Sequence, residues 1–96
     1  MSLNISFCID DQHPCLAGHF PHKPIVPGVL LLDRVIHALE EKTGEGKVQG
    51  IKHVKFLQPV LPGQRIDVEM LDTPAGIRFK GHYQGELVFN GELFLS

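Results

Sequence analysis

Residues 25–44, IVPGVLLLDRVIHALEEKTG, decide the fold of this chain. Pro27 suits the first turn of a helix, where a missing N–H forfeits no hydrogen bond. Val29, Leu32, Ile36 and Leu39 then recur at i, i+3, i+7 and i+10, the spacing of one helix face. Leu30, Leu31 and Val35 widen that stripe until the N-terminal half is apolar nearly all round. Such a helix is expected at the centre of a domain rather than on its surface. Charges return only at Glu40, Glu41 and Lys42, and Gly44 supplies a C-terminal stop. The spacing predicts a helix over 27–42.

The sequence on either side reads as strands. Residues 3–9, LNISFCI, form a short one. Residues 48–60, VQGIKHVKFLQPV, form a long one in which Gly50 marks a bulge. Residues 65–71 alternate cleanly and put Ile66, Val68 and Met70 on one face. Residues 77–84 and 86–96 complete a meander, with Asn90-Gly91 read as a break or hairpin turn. The turns between them fall at 61–64 and 73–76. One helix covers five strands only if the sheet curls around it. The expected architecture is α+β: an antiparallel sheet of about five to six strands wrapped around one central helix, residues 1–96 making a single domain.

Composition sets the boundaries. The chain has 96 residues, a formal net charge of −2, 43% hydrophobic and 21% charged residues. That describes one ordinary globular domain near the lower size limit for an independent core. The small net charge excludes the basic excess of a dedicated nucleic-acid binder. No apolar run approaches the length needed to span a bilayer, and the start, MSLNISFCIDD, lacks the pattern of a secretory signal. With two cysteines, Cys8 and Cys15, no disulfide framework is expected. Free thiols and a cytoplasmic location are expected instead.

Residues 10–24, DDQHPCLAGHFPHKP, read as a stiff loop. Pro14, Pro21 and Pro24 fix their own backbone and push the preceding residues toward extended geometry. Cys15, His19 and His22 space as C-x3-H-x2-H. A structural zinc site needs four ligands, and Cys8, His37, His53 and His82 are too scattered to supply a second pair. No metal or other cofactor is expected.

Three features near the helix carry possible chemistry. Asp33 stands inside the most apolar segment. A carboxylate in such surroundings loses hydration, which favours its protonated form and makes it a general-acid candidate. The plainer reading puts it on an exposed helix edge, paired with Arg34 or Lys23. Gly28 follows a proline and so offers the first backbone N–H at the positive end of the helix, with no side chain to block a ligand. That suits developing oxyanion charge, although Pro-Gly is also an ordinary helix entry. His19 is pinned between Gly18 and Phe20 on the stiff loop, as a base or as a solvated loop residue. Together they are the parts for removing a proton next to a carbonyl and expelling a neighbouring hydroxyl.

The stretch 18–33, GHFPHKPIVPGVLLLD, resembles the signature of the β-hydroxyacyl-acyl carrier protein dehydratases, a hot-dog-fold family. Their pattern is roughly H-F-x-G-x-P-[VI]-x-P-G-x-L-x-x-[DE], with the same spacing from His19 to Asp33. Residues 55–66, KFLQPVLPGQRI, resemble a second family stretch, K-F-x-x-P-V-x-P-G-D-x-[LI]. The resemblance implies His19 as the catalytic histidine, Asp33 as its acidic partner, and Gly28 as the N–H that polarises a thioester carbonyl. It places Phe20, Pro27, Val29 and His37 along the substrate. It implies loss of water from a 3-hydroxyacyl thioester, carried on the phosphopantetheine of an acyl carrier protein, to give a trans-2-enoyl thioester. It also implies a homodimer or higher homo-oligomer in which the histidine of one subunit works with the acid of the other. His22 replaces a usual glycine, His37 replaces a frequent glutamine, and the acid is Asp rather than Glu. Lys23, Arg34, Lys52, Lys55 and Arg65 offer a docking patch for an acidic carrier, or ordinary solvated surface. The competing readings are a hot-dog thioesterase and a non-catalytic acyl-binding subunit.

Overall fold

The computed structural model describes residues 2–10, 25–44 and 46–95. The stiff loop expected at 10–24 lies outside them from residue 11 onward. The elements follow in the order β1 (Ser2–Phe7), α1 (Gly28–Thr43), β2 (Val48–Phe56), β3 (Ile66–Asp72), β4 (Gly76–Tyr83) and β5 (Glu86–Leu95). The five strands form one antiparallel sheet in the order β1-β3-β4-β5-β2. The meander β3-β4-β5 makes its centre. β1 closes one edge, and β2, arriving from the helix, closes the other.

Period-2 alternation sorts the sheet faces as expected. Ile66, Val68 and Met70 are fully buried, and Ile77, Phe79 and Leu93 join them from β4 and β5. Each such side chain contributes roughly 1.5–3 kcal/mol of burial. α1 supplies Leu31, Val35 and Leu39 to the same core, spaced i, i+4 and i+8. The helix is shifted one residue from the sequence expectation, which is ordinary end variation. Gly44 ends it at φ 107° and donates its N–H to the Glu40 carbonyl.

The expectation of a helix buried on nearly every side is corrected. Val29 is 76% exposed, and Ile36 is only half-buried. The face turned to the sheet runs along Leu31, Val35 and Leu39, and among the described residues nothing covers Val29 on the opposite flank. Hydrophobic letters all round a helix show how much burial it seeks, not which chain supplies it.

Two strand boundaries also differ. The strand expected over 48–60 stops at Phe56, because the Leu57 and Gln58 N–H groups turn onto the Val88 carbonyl, at 2.8 and 3.3 Å. Asn90-Gly91 makes no turn, and β5 runs straight through it. A Cβ on Gly91 would lie 2.6 Å from both the His53 carbonyl oxygen and the Phe79 ring, so that glycine serves close packing. The hairpin reversal falls instead at Gln84-Gly85, with φ 49° and 83°, the two-residue turn that demands positive φ twice. The bulge expected at Gly50 is present as a register shift between Val48 and Gly50. Among the described residues, no helix is long and apolar enough to cross a membrane.

Candidate active site

The start of α1 is built to leave its backbone donors available. Pro27 is the N-cap, at φ −58° and ψ 139°, with no side-chain cap bond and no acidic residue in the first turn. Its carbonyl accepts the N–H groups of Leu30 and Leu31, at 3.0 and 3.4 Å. Gly28 and Val29 precede any intrahelical acceptor, so their N–H groups form the positive end of the helix.

The second sequence motif holds this end in place. Val60 is buried, and its carbonyl accepts the Val26 N–H at 2.8 Å, clamping the chain as it enters the helix. The turn that follows is tied back twice. The Leu61 N–H donates to the Gln64 side-chain oxygen at 2.9 Å, and the Gly63 N–H to the Ile9 carbonyl at 2.8 Å. The two stretches singled out in the sequence therefore form one unit: residues 57–64 position residues 25–28.

Between them opens a mainly apolar groove of about 520 Å³, lined by Ile25, Val26, Gly28, Val29 and Leu31 on one side and by Phe56–Val60 on the other. The tip of the Phe56 ring lies against Gly28. A Cβ at that position would stand 2.6 Å from its Cζ. Gly28→Ala is therefore expected to push the half-exposed ring aside and to destabilise the fold by about 1 kcal/mol, the lower end of an overpacking penalty. A thermal melt that matches the wild-type curve would show that the ring is not confined there. Phe56 is the contact that sequence reading missed. Its signal was present in K-F-x-x-P-V, but nothing in that pattern says which residue the ring covers.

The other expected site residues divide clearly. Asp33 is exposed, on the same side of α1 as Val29 and His37, each one turn apart. The neighbouring apolar letters point to other sides of the helix, so within one chain the exposed-edge position is the one observed and the buried one is not. His37 is exposed and pairs with Glu41, Nε2 to Oε1 at 3.1 Å. It lines a separate cleft between α1 and β1 with Phe7 and Arg34. His19, Phe20 and His22 lie outside the described residues, as do Cys15 and Lys23. Cys8 carries an exposed free thiol.

Among the described residues, the basic groups read as a docking patch or solvated surface do not converge. Lys52 and Lys55 stand on β2. Arg34 covers the Phe7 ring at 5.9 Å, and Arg65 reaches Asp67 at 3.6 Å and the Ser6 hydroxyl at 3.3 Å. The two arginines flank the end of β1 from opposite faces, with the sheet between Arg65 and the helix.

One helix packed on a five-stranded antiparallel sheet of this order, with an open groove at the helix start, defines a hot-dog protein. The dehydratase heterocomplex ApeI:P from Xenorhabdus doucetiae contains a chain of the same fold, with a TM-score of 0.85 and 25% identity, covering 98% of this chain and 86% of that one. The chain belongs to the ApeI-like dehydratase family, whose profile matches residues 1–92. It is 36% identical to the 3-hydroxyacyl-[acyl-carrier-protein] dehydratase FabZ of Haemophilus influenzae strain 86-028NP, over 88% of this chain. The FabZ of Tolumonas auensis is 35% identical, over 97% of this chain and 69% of its own length. The chain spans 63% of the length of the Haemophilus relative.

Proposed function

We propose that this chain is a 3-hydroxyacyl-[acyl carrier protein] dehydratase, made of one hot-dog domain over residues 1–96 and active in the cytoplasm as a homodimer. The observation that carries the reading is the groove at the start of α1, where the Gly28 amide meets an apolar channel. The Gly28 N–H holds the thioester carbonyl and gains strength as negative charge develops on its oxygen. One such donor is worth roughly 3–4 kcal/mol. The His19 imidazole removes the α-proton. Asp33 delivers a proton to the 3-hydroxyl, which leaves as water, and the electron pair of the broken C–H bond forms the trans-2 double bond. Phe20, Pro27, Val29 and His37 guide the acyl chain.

The homodimer is supported by what the described residues leave exposed. β2 is an edge strand with Ile51 and Phe56 exposed, as is Leu57 just after it, and Val29 stands out from the helix in the same groove as Phe56 and Leu57. An unpaired edge with apolar side chains is a pairing surface. A second copy seated there shelters the flank that bears Asp33, and the mechanism pairs that acid with the histidine of the other subunit. The Xenorhabdus heterocomplex favours one further reading, in which the second chain is a different hot-dog protein.

The test is a single incubation with a 3-hydroxyacyl thioester, read for enoyl absorbance and for free thiol. Enoyl product without thiol is the expected result. Thiol release makes the protein a thioesterase, and neither product makes it a binding subunit. Native mass spectrometry of the purified chain is expected to give twice the monomer mass. A chain that dimerises only with a second protein would replace the homodimer.

A further inference from the structure

The half of the sheet formed by β2, β4 and β5 carries, on the face turned away from α1, four of the nine Lys and Arg residues, in a chain whose net charge is −2. Arg78 and Lys80 alternate with the buried Ile77 and Phe79 on β4. Lys55 lies across Asn90 from Lys80, and His53 lies across Glu92 from Arg78. A second bulge, between Ile51 and His53, adds Lys52 to the same face. Without it, consecutive residues would point to opposite faces.

These groups gather around one carboxylate. Glu92 is only 6% exposed. The Arg78 guanidinium and the His53 imidazole both face its Oε1, at 3.7 and 3.9 Å. The Lys52 ammonium faces Oε2 at 3.8 Å, and the Thr73 hydroxyl donates to that oxygen at 3.3 Å. None of the three nitrogen groups is within hydrogen-bonding distance. Glu92 therefore collects the positive groups without using their donors, and one negative charge faces two permanent positive ones. Beside it lies a recess of about 290 Å³, lined by His53, Arg78, Lys80, Asn90 and Gly91.

We propose that this recess binds a phosphate group. It presents a guanidinium fork, an ammonium, an imidazole and a carboxamide, a donor set suited to an anion with several oxygens. An acidic protein surface fits less well. The β1–β3 half of the same face carries Asp67 and Glu69, which oppose a broad negative partner.

The test is titration of the intact chain at low ionic strength with inorganic phosphate, followed by backbone amide shifts, with chloride as the matched control. Saturable shifts are expected at His53, Arg78, Lys80, Asn90 and Gly91, and chloride is expected to give none. Arg78→Gln is expected to weaken binding about tenfold, the loss of one charge-assisted hydrogen bond. Lys80→Gln is expected to weaken it similarly while leaving the Glu92 contacts in place, which covers the case of an Arg78 variant that fails to fold. Both variants should retain full turnover, since the groove at Gly28 lies on the opposite face. Glycerol phosphate and dimethyl phosphate, titrated in parallel, tell a monoester ligand from a diester. Absence of saturable shifts overturns the proposal. So does equal affinity in both variants, or binding of polyglutamate that phosphate does not displace.

Discussion

His19→Ala is expected to lower dehydration by about 10²–10⁴-fold, the usual contribution of a positioned base. The reaction must break a C–H bond beside the thioester carbonyl, and among the residues assigned to the mechanism only the imidazole is a base suited to that step near neutral pH. The Gly28 amide stabilises the charge that forms but cannot accept the proton. The described core is built from α1 and the sheet, so the variant is expected to keep its melting curve. Initial rates from enoyl absorbance, with a thermal melt of the same sample, check both halves. An equally active variant would remove His19 from the mechanism.

Asp33→Asn is expected to cost a similar factor, for a different reason. The carboxamide matches the carboxyl in shape but has no acidic proton to give the departing hydroxyl. Asp33 is exposed within its own chain and the carboxamide has the same shape, so the melt should change little. A large fall in turnover with an unchanged melt separates a chemical role from a structural one. Full turnover would return Asp33 to the exposed-edge reading. The pair of variants also tests the shared site. Refolding His19→Ala and Asp33→Asn together is expected to restore activity that neither shows alone, because some mixed dimers hold one intact histidine–acid pair. Mixtures as inactive as their components would place both residues of a site on one subunit.

Much of this was legible in the letters. The helix was visible because three turns of apolar spacing leave one register, and Gly44 marks its end without ambiguity. The alternation in 65–71 assigned Ile66, Val68 and Met70 to the core because a strand has only two faces. Asn90-Gly91 misled, since the same dipeptide serves a tight turn or the close approach of two strands. Only the Phe79 ring and the His53 carbonyl, distant in sequence, decide between them. For Asp33 the letters left a buried and an exposed-edge reading open, and within one chain the exposed one holds, because apolar neighbours in sequence lie on different sides of a helix.

The sequence by itself determined the element order, the helix register and the two motifs that mark the family, all of which follow from local period and fixed spacing. Tertiary structure alone decided that the second motif clamps the first through the Val60 carbonyl and that Phe56 seats on Gly28. It also decided that Lys52, His53 and Arg78 surround Glu92. Those contacts join strands through pairing registers and a bulge, and a register across tens of residues is set by the packed sheet rather than by any stretch of chain within it.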